Sequence, residues 1–140
     1  MLATLERRIG PARTALLWQF FRFGLVGFSG AMVDTAVIYG TRAWLGLYGA
    51  GALSYLIAAT WTFQCNRLFT FSGRGTGPLY RQWLTFMGVN LVGLVFNRGT
   101  YFALVTWSLT CQAYPVLAVA AGAVAGMFFN FALSRKLVFT

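Results

Sequence analysis

Four long apolar stretches divide the chain, at residues 21–44, 48–65, 83–108 and 115–134. Each approaches or exceeds the roughly 20 residues that a helix needs to cross about 30 Å of hydrocarbon. They are continuously apolar instead of alternating with polar residues, which argues against the strands of a transmembrane barrel. Because backbone groups in lipid must pair within their own segment, the pattern predicts an all-α integral membrane protein with four transmembrane helices.

Composition supports this prediction. Hydrophobic residues make up 59% of the chain and charged residues only 9%, whereas about a quarter of a soluble domain is charged. We therefore expect a single membrane domain over residues 1–140. Span 1 is too long for a cleavable signal and contains Asp34. Residues 1–19 mix arginines with apolar residues, as in an amphipathic interfacial segment or a basic tail.

The net charge of +9 is unevenly distributed. Most cationic side chains lie before or at the start of span 1, between spans 2 and 3, or after span 4, whereas the other two connections carry only Arg42. The positive-inside rule then places both termini and the middle connection in the cytoplasm of a multi-pass protein of the cell inner membrane. No exposed domain is left to bind nucleic acid, so these charges are expected to meet membrane lipids.

A nine-residue phrase occurs twice, at residues 63–71 and 131–139, with phenylalanine at both ends and arginine in the middle. A second correspondence pairs Phe23 with Phe86 and Gly30 with Gly93. The chain therefore reads as two tandem helical hairpins. Because a hairpin returns to its starting side, the two copies share one orientation and form a parallel repeat.

Each predicted helix carries a stripe of small and polar residues, a type that lets membrane helices approach closely and form hydrogen bonds. These stripes predict the faces that meet inside a bundle, and packing alone would explain them. They are Gly27, Gly30, Ala31 and Asp34 in span 1; Ser54, Ala58, Thr62 and Asn66 in span 2; Asn90, Gly93, Leu94 and Asn97 in span 3; and Gly122, Gly126, Asn130 and Ser134 in span 4.

Asp34 lies near the middle of span 1, where an acid is costly without a partner or a purpose. It can be protonated, pair with an arginine, or line a wet cavity. Arg98 follows Asn97, the repeat counterpart of Asp34, at comparable depth. An Asp34–Arg98 pair is the structural hypothesis. The functional hypothesis is that Asp34 lines a cavity while Arg98 attracts an anionic headgroup.

Four arginines lie at the predicted cytoplasmic ends of the helices, namely Arg22, Arg67, Arg81 and Arg135. Guanidinium groups suit phosphate oxygens. Gln19, Asn66, Gln82 and Ser134 would add hydrogen-bond donors, and Trp61, Phe69, Phe71, Trp83 and Phe139 an aromatic interface. The alternative is that these arginines only set topology beside an ordinary aromatic belt.

Catalysis and metal binding are not expected. The chain has no histidine, and its two cysteines, Cys65 and Cys111, fall on opposite sides of the predicted membrane. A disulfide and a metal site are therefore excluded. No nucleophile–base pair or nucleotide-binding motif is present, so neither an enzyme nor a cofactor is predicted.

Several motifs together resemble the GtrA family of small four-helix membrane proteins. They are Phe21-Arg-Phe-Gly-Leu-Val-Gly27, Asp34, Asn66-Arg-Leu-Phe-Thr-Phe71, Asn130-Phe131, and Ser134-Arg135 ahead of Val138-Phe139. The resemblance covers about residues 19–140 and implies a role in cell-surface polysaccharide glycosylation. It also implies movement of polyprenyl-phosphate-linked sugars across the cytoplasmic membrane, often beside a membrane glycosyltransferase.

The favoured prediction is a flippase for such lipid-linked sugars, acting as a homo-oligomer because four short helices enclose little volume. The alternative is a scaffold that positions a polyprenyl-phosphate glycosyltransferase without transport. A small cation or drug transporter is disfavoured, since its site would need acids facing the cation, and the chain offers one Asp at depth beside an Arg. The predicted substrate-binding residues are Arg22, Asp34, Asn66, Arg67, Arg81, Asn97, Arg98, Asn130 and Arg135.

Overall fold

The computed structural model describes residues 10–140, and that part of the chain is helical without a β-strand. The helical stretch Pro11–Cys65 is interrupted at Gly46, and we name its two parts α1 (11–45) and α2 (47–65). The later helices are α3 (Leu79–Trp107), the short α4 (Leu109–Ala113) and α5 (Pro115–Leu133). Two π-helical segments follow α2 and α5, the first π-turn (Asn66–Thr70) and the second π-turn (Ser134–Val138).

The four apolar stretches are confirmed as helices, with small shifts of their ends. Helix α1 begins at Pro11, well before span 1, so part of the predicted interfacial segment is helical. The remaining part, residues 1–9, lies outside the described residues. Helix α3 begins four residues before span 3, directly after Pro78. Proline suits the start of a helix because the first turn needs no amide donor.

The chain divides into two compact units, the first ending at Arg74 and the second comprising Gly75–Thr140. In the first unit, α1 and α2 form an antiparallel hairpin. Gly30 of α1 contacts the side chain of Thr62 in α2. Beside this contact, Trp61 Nε1 donates a hydrogen bond to Ser29 Oγ at 3.1 Å and so links the two helices. The hairpin places the beginning of α1 beside the end of α2.

The second unit is a hairpin of α3 and α5 joined through α4. Gly93 lies against the amide of Asn130, and Gly126 lies against the backbone of Gly93. The rings of Phe96 and Phe129 stack across the two helices, with centroids 3.5 Å apart and planes 11° from parallel. Backbone therefore contacts backbone where glycines meet, while aromatic rings fill the neighbouring space.

The predicted stripes differ in how much of each is buried. In spans 2 and 4 the small and polar positions are mostly buried, with Ser54 and Ser134 almost inaccessible. In α1 and α3 burial centres on Gly30 and Gly93, whereas Ala31 and Leu94 are exposed. The stripes predicted in spans 2 and 4 thus match the buried helix faces, whereas those predicted in spans 1 and 3 also include exposed residues.

Many large apolar side chains remain exposed, among them Phe28 at 70%, Leu47 at 70% and Val95 at 70%. Soluble proteins rarely expose contiguous apolar surface on this scale. Two helical stretches of the described chain, Pro11–Thr70 and Pro115–Val138, are long and apolar enough to cross a membrane. Helix α3 is not among these stretches. That all four helices cross the membrane therefore stays a prediction.

Candidate functional site

The first π-turn is built around a buried asparagine. Asn66 is 1% exposed, and its Oδ1 accepts a hydrogen bond of 2.8 Å from Thr70 Oγ1. Its backbone carbonyl accepts from the amide of Phe71, also at 2.8 Å. Asn66 therefore closes the widened turn through both its side chain and its main chain, and Arg67, the next residue, is held half-buried at the end of the hairpin.

Helix α1 supports this turn from the other side. Gln19 Nε2 donates to the carbonyl of Thr70 at 3.1 Å, and Arg22 Nη1 donates to the carbonyl of Phe69 at 3.5 Å. The Phe71 ring packs edge-on against Phe23, with centroids 6.1 Å apart. These contacts bring Arg22 and Arg67, which are far apart in sequence, to the same end of the first hairpin.

The second π-turn repeats this construction with different side chains. The amide of Phe139 donates to the carbonyl of Ser134 at 3.0 Å, and the Phe139 ring packs edge-on against Phe86 at 6.3 Å. Arg135 follows Ser134 and is half-buried. Arg81, near the start of α3, is exposed, and its Nε donates to the Tyr80 hydroxyl at 3.2 Å. Arg81 and Arg135 therefore lie at the same end of the second hairpin.

The loop before α3 is tied to this end of the second unit. The amide of Gly75 donates to the carbonyl of Thr140 at 3.1 Å. Gln82 is 5% exposed, and its Nε2 donates to the carbonyl of Gly77 at 2.7 Å. The arginine end of this hairpin is thus a structured surface instead of a frayed terminus.

Three asparagines lie deeper in the second unit, between α3 and α5. Asn90 Nδ2 donates to the Phe86 carbonyl at 2.9 Å, and Asn130 Nδ2 donates to Asn90 Oδ1 at 3.4 Å. Asn97 lies farther along α3 against Gly122 and Gly126. Two of the predicted site residues, Asn97 and Asn130, therefore line one helix interface, together with Asn90.

Asp34 and Arg98 lie in different units. Asp34 is half-buried on α1 and makes no ion pair within the described part of the first unit, and Arg98 is exposed on α3. The structure therefore leaves their pairing a prediction.

Four residues predicted at the lipid or substrate interface have other roles. Phe71 and Phe139 are each 1% exposed and belong to the core, so the predicted aromatic interface is wrong for them. Gln19 donates to the carbonyl of Thr70 in the first π-turn, and Gln82 donates to the carbonyl of Gly77 in the loop before α3. Phe71 and Phe139 are buried because each follows a π-turn and packs back against its hairpin, on Phe23 and Phe86. Phe69 and Trp61 remain exposed, as expected.

Sequence reasoning missed Thr70, whose hydroxyl fixes the Asn66 side chain. The available signal was the spacing of four residues between Asn66 and Thr70, which places two polar side chains on one helical face.

The arginines give each hairpin end a chemistry that suits anions. Each hairpin end presents two guanidinium groups, and such groups form bidentate hydrogen bonds with phosphate oxygens. Among the described residues, no group of three histidine, cysteine or acidic side chains could hold a metal ion. Cys65 and Cys111 are free thiols.

Comparison with known proteins places the chain in a family. No curated protein sequence is similar enough to count as a relative. The family described as GtrA/DPMS, transmembrane domain, matches residues 22–139. That match includes both π-turns, the second hairpin and the first hairpin from Arg22 onward, and the resemblance inferred from the motifs is confirmed. The chain therefore belongs to the GtrA/DPMS transmembrane domain family.

Proposed function

We propose that this protein flips polyprenyl-phosphate-linked sugars across the cytoplasmic membrane for cell-surface polysaccharide synthesis. Family membership suggests a role in handling lipid-linked sugars during glycosylation. Flipping is the specific form of that role that we propose. It needs no covalent chemistry by the protein, because the substrate crosses the bilayer unchanged.

The observation that carries the proposal is the pair of arginines at the π-turn end of each hairpin. In the first unit Arg22 is oriented by its hydrogen bond to the Phe69 carbonyl, beside the turn that holds Arg67. In the second unit Arg135 lies in the second π-turn. A phosphate bound to such a pair gains charge-assisted hydrogen bonds, which are roughly twice as strong as neutral ones.

The membrane arrangement that we propose has four crossings, both termini in the cytoplasm and the arginine ends at the inner surface. Corresponding contacts within each unit support a tandem repeat of hairpins. Gly30 contacts Thr62 in the first unit as Gly93 contacts Asn130 in the second. Likewise, Phe71 packs on Phe23 and Phe139 packs on Phe86. In this arrangement the phosphate is taken from the cytoplasmic leaflet, and the prenyl tail stays in lipid beside the helices. A homo-oligomer and a neighbouring glycosyltransferase remain part of the proposal.

The test is binding of undecaprenyl-phosphate-glucose to the purified protein in nanodiscs. We expect saturable binding by the wild type and binding weaker by about tenfold or more in Arg67→Ala and Arg135→Ala, since a hydrogen bond to a charged group contributes about 1.5–3 kcal/mol. Asp34→Asn tests the role of the acid. Arg42→Ala is the matched control, because Arg42 lies at the other end of α1, over the Tyr39 ring, and its loss should leave binding unchanged.

A transport assay then separates the two remaining functions. Liposomes that contain the wild type should move the labelled lipid between leaflets faster than empty liposomes. Binding without accelerated movement of the lipid would overturn the proposal that the protein is a flippase. If a glycosyltransferase also co-purifies from native membranes, the result would favour a scaffold that positions this enzyme.

A further inference from the structure

The two π-turns share a backbone bond but differ in their side chains. The Phe71 amide donates to the Asn66 carbonyl in the first turn, and the Phe139 amide donates to the Ser134 carbonyl in the second. Turns of this width are rare and occur mostly at functional sites. Because the closing backbone bond is the same in both, a difference in rigidity between the two turns has to come from the side chains around them.

The first π-turn is closed by a buried hydrogen bond between two of its side chains. Thr70 Oγ1 donates to Asn66 Oδ1 at 2.8 Å, and both residues are buried. Helix α1 adds a hydrogen bond of 3.1 Å from Gln19 Nε2 to the Thr70 carbonyl. Arg67 lies inside the five residues that these bonds enclose. Its backbone is therefore held in one conformation without a ligand.

The second π-turn has a different pair of residues at the same two positions. The repeat aligns Asn66 with Ser134 and Thr70 with Val138. Valine has no hydroxyl group to donate, and Ser134 Oγ is buried without a partner among the described residues. The side-chain bond that closes the first turn therefore has no counterpart at these positions of the second.

The glutamines that correspond in the repeat also support different parts of the chain. Gln19 donates to a carbonyl of the first π-turn, whereas its counterpart Gln82 donates to the Gly77 carbonyl in the loop before α3. Arg135 thus lies in a turn that neither a threonine hydroxyl nor this glutamine amide supports.

Asn66 is placed to act on its neighbours instead of on a ligand. Its side chain is 1% exposed and its Oδ1 accepts from Thr70, whereas Arg67 beside it is half-buried. Arg22 joins the same end of the hairpin through its hydrogen bond to the Phe69 carbonyl. A side chain that starts from an ordered backbone loses less conformational freedom when it binds, and this raises its affinity for a ligand.

We propose that Asn66 and Thr70 are positioning residues, whose hydrogen bond pre-organises Arg67 for the phosphate of the lipid-linked substrate. This inference rests on the proposed function. It makes the two hairpin ends unequal: phosphate meets an ordered arginine at the first end, whereas binding to Arg135 at the second end must also order its turn.

The experiment is a double-mutant cycle on the affinity for undecaprenyl phosphate in nanodiscs. Thr70→Val removes the hydrogen-bond donor and should weaken binding roughly two- to tenfold, the usual cost of ordering one long side chain. In an Arg67→Ala background the same substitution should leave the affinity unchanged, because the hydrogen bond acts through Arg67. A general loosening of the fold would weaken binding by the same factor in both backgrounds.

Three further variants test the role of the hydroxyl group. Thr70→Ser keeps the hydroxyl and should restore most of the affinity that Thr70→Val loses. Asn66→Ser combined with Thr70→Val reproduces the residues of the second π-turn, which this chain already folds, and should weaken binding as Thr70→Val does. Thr106→Val is the control, because it removes an exposed hydroxyl that donates to the Phe102 carbonyl of α3, and it should leave binding unchanged.

The outcomes separate this inference from the proposed function. Equal affinity of the wild type and Thr70→Val, or an equal loss in the two backgrounds, overturns the positioning role while the lipid-binding function stands. Failure of the wild type to bind undecaprenyl phosphate overturns the proposed function and this inference with it.

Discussion

Where Gly122 of α5 contacts the backbone of α3, a single missing side chain decides the packing. A Cβ atom on Gly122 would lie 2.6 Å from the Asn97 carbonyl oxygen, and a backbone atom cannot turn aside. Gly122→Ala should therefore push the helices apart and lower the free energy of unfolding by about 1–3 kcal/mol, the usual cost of overpacking. Unfolding of the purified protein by SDS in mixed micelles measures this change.

Gly88→Ala is the matched control for this substitution. Gly88 lies in α3 with nothing within 4 Å of the added carbon, so alanine there should be neutral or stabilising through its higher helix propensity. If both variants unfold at the same SDS concentration, the close approach at Gly122 is not the determinant of the hairpin.

The buried hydrogen bond between Thr70 and Asn66 should stabilise the first π-turn. Thr70→Val keeps the shape of the side chain but leaves Asn66 Oδ1 without the donor that now lies 2.8 Å away. We expect a loss of about 1–3 kcal/mol in the free energy of unfolding, the desolvation cost of an unsatisfied buried group. Thr106→Val, at an exposed position of α3, should lower the free energy of unfolding far less. An equal loss of stability in the two variants would contradict a stabilising role of the buried hydrogen bond.

At the scale of whole elements, the break between α1 and α2 depends on one backbone conformation. Gly46 has φ 64° and ψ 177°, a region that is essentially restricted to glycine because a Cβ atom is strained there. Gly46→Ala should therefore lower the free energy of unfolding by about 1–3 kcal/mol. Gly40→Ala, in open space within α1, is the control for the same SDS titration.

The alternative outcome at Gly46 is equally informative. The helical stretch continues on both sides of the break, so a chain that tolerated alanine without loss would have another way of turning. Unchanged stability in Gly46→Ala would then show that the break is not held by this backbone conformation.

For the whole molecule, the distribution of charge predicts which surfaces face outward. In a background with Cys65→Ser and Cys111→Ser, a membrane-impermeant maleimide should label Tyr48→Cys and Gln112→Cys on intact spheroplasts. Ser72→Cys and Thr140→Cys should react only after lysis, because the proposed topology places the arginine-rich ends in the cytoplasm. All four positions are exposed, so a lack of reaction reports the side of the membrane, and outside labelling at Ser72→Cys would overturn the proposed topology.

Much of this architecture could be predicted from local sequence. The apolar stretches predict the helices because the burial of backbone and side chains in lipid depends on each segment by itself. The repeated phrase marks both π-turns, since residues 63–71 and 131–139 contain them. The motifs within residues 22–139 were enough to identify the family.

Local sequence does not show which polar and aromatic side chains are taken up by packing and hydrogen bonds within the fold. Phe71 and Phe139 belong to the same repeated phrase as the arginines, yet they are buried against Phe23 and Phe86. Gln19 reaches a carbonyl 51 positions away, and Asn90 and Asn130, which are 40 positions apart, share a hydrogen bond. Hydropathy and spacing describe each segment alone, whereas hydrogen-bond partners and burial depend on residues brought together from distant parts of the chain.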